Sequence, residues 1–258
     1  MNKKIKFLKS NSFGNKKISY GFFTRNGGKS KKPFNTLNCS RKNGDSLLNV
    51  RNNIKLAMKS LKLEKNKLII GNQIHSKKVI IINDLNKKIN LNVDGYVTQN
   101  KNVALGILTA DCAPIFFYDP IRNLIGAAHS GWKGCLKNIS NSIIKSMESL
   151  GSRAKDIQVI IGPCINQKNY EVDKRIFFKF FQSNKKYKKF FKKINSNKFK
   201  FNITQILRFQ LDSLGVRKIS LKNEDTYSNV KKYYSHRRSS HLGEIKTGRM
   251  INIIGFFD

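Results

Sequence analysis

Acidic residues are scarce in this chain of 258 residues, which has 15 Asp and Glu against 51 Lys and Arg and a formal net charge of +36. Such an imbalance is typical of proteins that bind nucleic acid or acidic membranes. The lysines, however, are scattered along the whole chain together with Asn and Ile, all of which A/T-rich codons encode. No helix-turn-helix, zinc-finger spacing or RNA-recognition aromatic pair accompanies them. We therefore attribute the charge to compositional bias and expect nonspecific polyanion binding, without a specific nucleic-acid partner.

Cysteine and long apolar segments are also scarce. The four cysteines are widely spaced and form no CxxC pair, which excludes a compact zinc-finger signature: Cys39, Cys112, Cys135 and Cys164. No apolar run is long enough to cross a bilayer, and the N-terminal segment lacks the apolar core of a signal peptide. These absences predict a cytoplasmic protein with free thiols and no membrane partner.

The apolar content of 39%, which includes 18 Phe, is sufficient for a sizeable core. Predicted strands occur in unequal runs with a few helices between them, and this order indicates an α+β fold. No internal repeat and no Pro-, Gly- or Ser-rich linker divides the sequence. We therefore expect residues 1–258 to form a single domain.

Local patterns predict the individual elements. Apolar spacing and capping residues predict helices over 46–62, with Ser46 as N-cap, 134–150, ended by Gly151, 171–193 and 202–215. Alternating or continuous apolar runs predict strands over 15–24, 67–76, 77–84, 94–99, 124–130, 157–165, 218–221 and 248–257, and two strands around a turn within 103–119. Residues 25–45 are rich in Gly and Asn and are predicted to form a long loop.

The ends of three predicted strands carry two of the four histidines and one of the cysteines. His75, Cys112 and His129 could converge on one ion, and imidazole and thiolate are the ligands that zinc prefers. Three protein ligands would leave a fourth position for water, which is the catalytic arrangement. The alternatives are a hydrogen-bonded histidine at a strand end and a cysteine that only packs in the core.

Several polar residues near these strand ends are further candidates. Asp111 adjoins Cys112 and could orient a ligand or act as a base on metal-bound water, although a turn carboxylate is the alternative. Arg25, with two glycines, forms a basic turn that could receive an anion, and a plain loop is its alternative. Arg249 lies near a late strand end, where a solvated basic surface would also explain it.

Eight short segments occur in an order that resembles a known family: FTRNGGKSKKPFNTLN, NQIHS, DGYVT, LTADCAPIFF, AAHSGWKG, IGPCI, YYSHRR and TGRM. Through these segments the chain resembles the purine nucleoside phosphorylases that were formerly described as multicopper polyphenol oxidases, or laccase-like proteins. The resemblance extends from about Tyr20 to Asp258, and TADC followed by HSGWKG is its most specific part.

The resemblance implies a layered α+β sandwich, with two mixed β-sheets flanked by helices. It implies one catalytic zinc ion on His75, Cys112 and His129. We expect Cys112 and Asp111 to act in catalysis, with Asp111 as the candidate base for deamination. Purine nucleosides and phosphate would be the substrates: phosphorolysis of adenosine, inosine and S-methyl-5'-thioadenosine, and deamination of adenosine. The residues expected to bind substrate or phosphate are Arg25, Gln73, Lys133 and Arg249. We expect a monomer.

Two other functions remain open from the sequence. Some members of the family are linked to editing of peptidoglycan precursors, so a hydrolase that uses the same metal site is the alternative activity. A nucleic-acid-binding protein with a vestigial site is a third hypothesis, from a different class.

The chain departs from the family pattern at two positions. Lys133 replaces an arginine, which keeps the charge but loses the bidentate fork, and Asp225 stands where a cysteine is common. Four histidines are too few to ligate several copper ions, so copper is disfavoured. The H-x-E and P-C-x-x-C signature of zinc deaminases is also absent, so deamination would need another scaffold.

Overall fold

The structure is a computed structural model that describes residues 5–9, 13–14, 17–84 and 91–257. Its strands, in chain order, are β1 (Phe7–Leu8), β2 (Ile18–Phe23), β3 (Lys67–Ile69), β4 (Val79–Ile81), β5 (Gly95–Thr98), β6 (Val103–Thr109), β7 (Ala113–Asp119), β8 (Leu124–Ser130), β9 (Gln158–Ile161), β10 (Glu171–Asp173), β11 (Phe191–Lys193), β12 (Lys198–Phe201), β13 (Lys218–Leu221) and β14 (Met250–Phe256). Its α-helices are α1 (Leu47–Ser60), α2 (Trp132–Leu136), α3 (Ile139–Glu148), α4 (Lys174–Ser183), α5 (Ile203–Ser213) and α6 (His236–His241).

Two mixed sheets form the centre of the fold. One has the strand order β1-β2-β14-β6-β3, and the other has the order β13-β9-β7-β8-β5-β4. Both are antiparallel in the middle and parallel at an edge, where β3 pairs with β6, β4 with β5, and β13 with β9. A smaller antiparallel sheet has the order β10-β12-β11.

The two large sheets pack face to face around an aromatic core. Phe22 of β2 and Phe116 of β7 stack across this interface with ring centroids 4.6 Å apart. Both side chains are fully buried, and burying a side chain of this kind contributes about 1.5–3 kcal/mol. Helix α1 covers the outer face of the five-stranded sheet, and α3 and α5 cover that of the six-stranded sheet. The predicted layered α+β sandwich, with two mixed sheets flanked by helices, is confirmed.

The helix predicted over 46–62 is confirmed as α1, and the Ser46 side chain caps it by accepting a hydrogen bond from the amide of Asn49. The helix predicted over 134–150 is instead two helices, α2 and α3. Asn138 separates them because its φ of 54° leaves the helical range, and its side chain then caps α3. Gly151, which has a φ of 90°, follows the end of α3 as expected.

The helix predicted over 171–193 is correct only in its middle. Glu171–Asp173 forms β10 and Phe191–Lys193 forms β11, and both strands pair with β12. Asp173 then caps α4 by accepting a hydrogen bond from the amide of Arg175. The strands were missed because they depend on pairing with residues 198–201, which periodicity within 171–193 does not reveal.

The loop predicted over 25–45 contains neither helix nor strand. Buried Asn53 of α1 fixes its course, because its side-chain amide donates to Ser30 Oγ at 2.9 Å and to the carbonyl of Asn38 at 2.7 Å. The side-chain oxygen Oδ1 of Asn53 accepts a hydrogen bond from the backbone amide of Lys29 at 2.7 Å. Within the described residues, no helix has the length and apolar character needed to cross a bilayer.

Candidate metal centre and its cavity

His75, Cys112 and His129 lie together in the folded chain. Each offers a ligand atom, and these atoms all lie within 4.8 Å of one another. The two imidazole rings are inclined by 61° with centroids 4.9 Å apart. The three residues predicted as ligands are therefore placed so that they could hold one metal ion.

Pairing between β7 and β8 positions two of the three residues. The antiparallel register places Ala113 opposite Ser130 and Pro114 opposite His129. Cys112 immediately precedes β7, so it lies beside the end of β8 that carries His129. This placement follows from the sheet register and depends on no loop.

His75 reaches the group from a loop and not from a strand end. The strand predicted over 67–76 ends at Ile69, and His75 has a φ of 56°, a conformation that non-glycine residues rarely adopt. A carboxylate stabilises this turn: Asp94 accepts hydrogen bonds from the amides of His75 at 3.1 Å and Ser76 at 2.6 Å. Asp94 also accepts a hydrogen bond from the Ser76 hydroxyl at 2.8 Å.

The same carboxylate orients His129. Asp94 Oδ1 lies 2.9 Å from His129 Nδ1, and Asp94 is fully buried. Because Nδ1 is engaged, Nε2 is the nitrogen left to face Cys112 and His75. Burial alone would raise the pKa of Asp94, but its hydrogen bonds to His129 and Ser76 outweigh this effect and lower it to about 2. Asp94 is therefore an ionised partner of the imidazole.

Electrostatics differ between the two histidines. Burial acts to lower the pKa of His129, but Cys112 and Asp94 more than offset it and raise that pKa to about 9. Burial and the neighbouring His129 lower the pKa of His75. His75 thus favours the neutral imidazole that metal ligation requires.

Gly131 leaves room for the group. A Cβ atom at this position would lie 2.8 Å from Cys112 Sγ and 3.3 Å from His75 Nδ1. Only glycine therefore lets the backbone pass this close to two of the three side chains. The following Trp132 packs against the core under the six-stranded sheet, as does Cys135, which is fully buried.

Asp111 makes a different set of contacts from those expected of a ligand orienter. Its carboxylate accepts hydrogen bonds from the Thr226 hydroxyl at 2.7 Å, the Ser235 hydroxyl at 2.9 Å and the Arg237 amide at 2.7 Å. Asp111 is buried and has a φ of 90°. It joins the turn before Cys112 to the start of α6.

The group lies in the wall of a cavity of about 760 Å³, within the usual range for small-molecule sites. One part of the wall is apolar: Ile54, Leu68, Ile70 and Leu108. Another part is basic: Arg41, Lys42, His236 and Arg249. The cavity can therefore contact both a flat apolar group and an anion.

The residues predicted to bind substrate are divided between the cavity and other places. Gln73 and Arg249 line the cavity, whereas its wall within the described residues includes neither Arg25 nor Lys133. The side-chain amide of Gln73 pairs with the backbone of Leu108 through two 2.8 Å hydrogen bonds, so it continues the pairing of β3 with β6.

Arg25 and Lys133, the other two residues predicted to bind substrate, each lie beside an aromatic ring. Arg25 donates to the carbonyl of Asn35 at 2.9 Å, and its guanidinium carbon lies 4.5 Å from the ring centroid of Tyr234. Lys133 is exposed with its ammonium 5.6 Å from the ring centroid of Trp132, and its charge contributes to lowering the pKa of His75.

Sequence reasoning missed Asp94, Arg41, Lys42 and His236. Asp94 could have been recognised as a site residue, since it is an acidic residue directly before a predicted strand in a chain with few acids. Nothing in the sequence marks Arg41 and Lys42 as site residues, because they are two of 51 Lys and Arg residues.

Fold and site together define the class: an α+β sandwich protein with a group of three side chains that could hold a metal ion in the wall of a cavity of small-molecule size. The chain belongs to the family described as multi-copper polyphenol oxidoreductase laccase, whose model matches residues 19–257. It is similar to the purine nucleoside phosphorylase YlmD of Bacillus subtilis, with 31% identity over 93% of this chain and 89% of that protein. It is also similar to the purine nucleoside phosphorylase RP494 of Rickettsia prowazekii, with 35% identity over 68% of this chain and 72% of that protein.

Solved structures show the same architecture. A hypothetical protein YfiH of Bacillus licheniformis superposes with a TM-score of 0.87 at 28% identity, covering 98% of this chain and 97% of the other. YlmD of Geobacillus stearothermophilus gives 0.86 at 26% identity, covering 98% and 96%.

The donor set fits one ion better than the several copper ions in the family's description. Within the described residues, one group of three or more His, Cys, Asp or Glu side chains could hold a metal, and it contains two imidazoles and one thiol. Of the other histidines, His241 lies 2.9 Å from the Tyr227 hydroxyl, and His236 lies in the cavity wall. A multicopper centre needs many more imidazoles than this.

Proposed function

We propose that this chain is a zinc-dependent purine nucleoside phosphorylase that cleaves adenosine, inosine and S-methyl-5'-thioadenosine and also deaminates adenosine. The observation that carries the proposal is the His75–Cys112–His129 group in the wall of a cavity that is lined by both apolar and basic residues. The relatives named purine nucleoside phosphorylase in Bacillus subtilis and Rickettsia prowazekii supply the reaction class.

The chemistry of the donors favours zinc. Two imidazoles and one thiolate are ligands that zinc accepts in a tetrahedral site with one open position. His75, Cys112 and His129 would hold the ion, and Asp94 would fix the tautomer and ring orientation of His129. Bound there, zinc would supply Lewis-acid character and a water of lowered pKa.

The chain's own residues would bind and align the two substrates. The apolar wall, with Leu68, Ile70 and Leu108, suits the purine, and Arg249 on the basic wall suits phosphate. In phosphorolysis a phosphate oxygen bonds to C1' of the ribose while the bond from C1' to the purine breaks, and the purine takes up a proton. Holding both reactants in one cavity removes the entropic cost of bringing them together.

Deamination would require a base near C6 of the purine, and Asp111 is the residue predicted for it. Its three hydrogen bonds favour a positioning role, through α6 and Cys112, over proton transfer. The role of Asp111 in catalysis therefore stays a prediction, as do those of Arg25 and Lys133, which lie outside the cavity wall.

The proposal is tested by incubating purified, zinc-loaded protein with adenosine and phosphate and separating the products by chromatography. We expect adenine from phosphorolysis, inosine from deamination, and hypoxanthine when inosine is cleaved. Cys112→Ala should abolish all three, whereas Cys164→Ala, which alters a buried thiol of the core, should keep them. Equal product from Cys112→Ala and wild type would refute the proposal.

Metal analysis tests the site directly. Zinc should be bound at about one ion per chain and should be lost in His75→Ala, Cys112→Ala and His129→Ala. His241→Ala is the matched control, because this exposed histidine lies outside the group. Retention of the metal in one of the three variants would remove that residue from the ligand set.

Hydrolytic editing of peptidoglycan precursors is the alternative function, and the basic wall favours it because those precursors are large anions. A deletion strain grown in excess serine or glycine should then accumulate mis-made precursors, which mass spectrometry would detect. Normal precursors in that strain, with phosphorolysis by the purified protein, would reject editing.

We further propose that residues 1–258 act as one domain in a cytoplasmic monomer. The absence of CxxC pairs and the four free cysteines support a reducing compartment. Light scattering after size exclusion tests the monomer, because a dimer would double the measured mass.

A further inference from the structure

Aromatic and basic residues concentrate in one short stretch of the chain. Residues 174–201 are 28 of its 258 residues, yet they hold 8 of the 18 Phe and 11 of the 51 Lys and Arg, with no Asp or Glu. The stretch includes α4, β11 and β12. A compositional bias that acts on the whole chain does not gather both residue types in one helix and one pair of strands.

The pairing of β11 with β12 gives this part of the fold an aromatic face. Phe191 lies opposite Phe201, and Lys193 lies opposite Phe199. These four residues share one face of the small sheet, because side chains alternate along each strand and opposite residues point the same way. Phe177 of α4 packs on that face, with its ring parallel to that of Phe199 and the two centroids 4.3 Å apart.

A recess of about 350 Å³ lies between α4 and this face of the sheet. Four phenylalanine rings and two lysines contribute to its wall: Phe177, Phe178, Phe191, Phe199, Lys188 and Lys193. Three of the rings are half-buried, whereas the fourth, that of Phe178, is 51% exposed. The recess shares no lining residue with the cavity beside the metal group, so it is a separate concavity.

The positive charge of the recess is not neutralised by neighbouring acids. Lys188 and Lys193 are exposed, and the ion pairs found among the described residues include neither of them. Glu171 and Asp173, the acids that precede the stretch in sequence, are paired with other cations. A complementary ligand therefore carries negative charge beside a flat apolar ring.

Single-stranded nucleic acid has this combination of groups. Each nucleotide joins an anionic phosphate to a base whose flat face stacks on aromatic side chains. A duplex does not fit, because its bases are already stacked inside the helix. An anionic membrane fits less well, because contact with a bilayer needs apolar side chains that project, and three of the four rings are set back in the recess.

We propose that this recess binds single-stranded nucleic acid without sequence preference. An unpaired base enters the recess and stacks on the exposed ring of Phe178, while Lys188 and Lys193 contact the flanking phosphates. Stacking accepts every base, which agrees with the lack of a sequence-specific recognition motif in the chain. The proposal depends neither on the metal group nor on the phosphorylase function.

Fluorescence anisotropy of a labelled single-stranded oligodeoxyadenylate of about 10 nucleotides, titrated with the full chain, tests the site. Phe178→Ala should weaken binding by about fivefold or more and leave the salt dependence unchanged, because it removes stacking and no charge. Lys188→Gln/Lys193→Gln should also weaken binding, and it should reduce the slope of log affinity against log salt by about 1.4. Equal affinity in Phe178→Ala and wild type would overturn the site.

Matched controls separate the recess from the general charge of the chain. Phe257→Ala removes another exposed ring, which lies beside Lys62 and outside the recess. Lys55→Gln/Lys59→Gln removes two exposed charges from α1, which contributes nothing to the recess. Both should change the affinity by less than about twofold. Losses as large as those of the recess variants would show plain electrostatic attraction and overturn the proposal.

A conservative variant distinguishes stacking from a structural role of the ring. Phe178→Trp should retain the affinity of wild type, and its added fluorescence should be quenched when the oligonucleotide binds, because an indole also stacks on a base. Urea unfolding of Phe178→Ala checks that the exposed position tolerates truncation. Loss of binding in Phe178→Trp without loss of stability would contradict stacking.

Three further ligands test the choice of occupant. Duplex DNA of the same length and polyglutamate should bind more weakly than the single strand, and Phe178→Ala should not change their affinity. Vesicles that contain phosphatidylserine should not depend on Phe178 in a sedimentation assay. Sensitivity of polyglutamate or of vesicle binding to Phe178→Ala would assign the recess to an acidic peptide or to a membrane and reject nucleic acid.

Discussion

The carboxylate of Asp94 lies 2.9 Å from Nδ1 of His129 and also accepts the backbone amide of His75. Asp94, the buried acid directly before β5, therefore orients two of the three candidate ligands. It holds His129 through the imidazole ring and His75 through the backbone amide. This contact couples the loop after β3 to the end of β8. It makes the geometry of the group depend on a residue that touches no ion.

Replacing Asp94 by asparagine should weaken zinc binding by about 10- to 100-fold, because the imidazole loses its anionic partner and its fixed tautomer. Competition with a chromophoric chelator measures the affinity. Asp156→Asn, which removes a surface partner of Arg153, should leave the affinity unchanged. Unchanged affinity in Asp94→Asn would show that the carboxylate only shapes the turn at His75.

Gly131→Ala should reduce zinc occupancy while leaving the chain folded, because the new Cβ would meet Cys112 Sγ at 2.8 Å. Gly151→Ala is expected to have the opposite effect, on stability and not on metal binding. Its φ of 90° is strained for alanine, so it should lower the free energy of unfolding by about 1 kcal/mol and leave the metal content intact. Metal analysis and urea unfolding of both variants check this, and full zinc occupancy in Gly131→Ala would contradict it.

Asp111→Asn should lower the free energy of unfolding by about 1–3 kcal/mol, because an amide nitrogen cannot accept the bonds from Ser235 and Arg237. Urea unfolding gives the stability, and product chromatography gives the deaminase rate. A variant that keeps its stability and loses only deamination would instead support Asp111 as the base.

Asp225 should make stability depend on pH in the acid range. Burial opposes its ionisation, but hydrogen bonds from Ser228, Asn166 and Asn169 prevail and lower its pKa. The stabilisation is therefore complete above the unfolded pKa of about 3.9 and is lost as the pH falls through the lower folded value. Urea unfolding from about pH 6 to about pH 3 should show a smaller loss for Asp225→Asn than for wild type. Identical slopes would contradict this account.

Scarcity determined what the sequence could reveal about the site. His75, Cys112 and His129 were identifiable because histidine and cysteine are rare in this chain and these three occur near the ends of the predicted strands. Arg41 and Lys42 were not, because nothing local separates them from the other basic residues. Asp94 acts through hydrogen bonds to residues far away in the sequence, and such bonds have no periodic signature.

Helices and strands were likewise predictable where their determinants are close in sequence, and not where they depend on distant residues. Helix α1 was predictable because its N-cap, Ser46, and its apolar spacing are both local to residues 46–60. Strand β11 was not, because its hydrogen-bonding partners are in β12. The break at Asn138 was also missed, because asparagine tolerates both the helical and the left-handed conformation and the sequence does not show which one it adopts.

The long loop over residues 25–45 supplies part of the cavity wall, and the side chain of Asn53 determines its course from helix α1. The candidate metal ligands come from elsewhere: Cys112 immediately precedes β7, His129 lies on β8, and His75 lies in the segment before β4. A change in residues 39–43 can therefore alter this part of the cavity lining without replacing a candidate ligand. The charge and size of the loop's lining residues can vary while the three-donor group keeps its own supports.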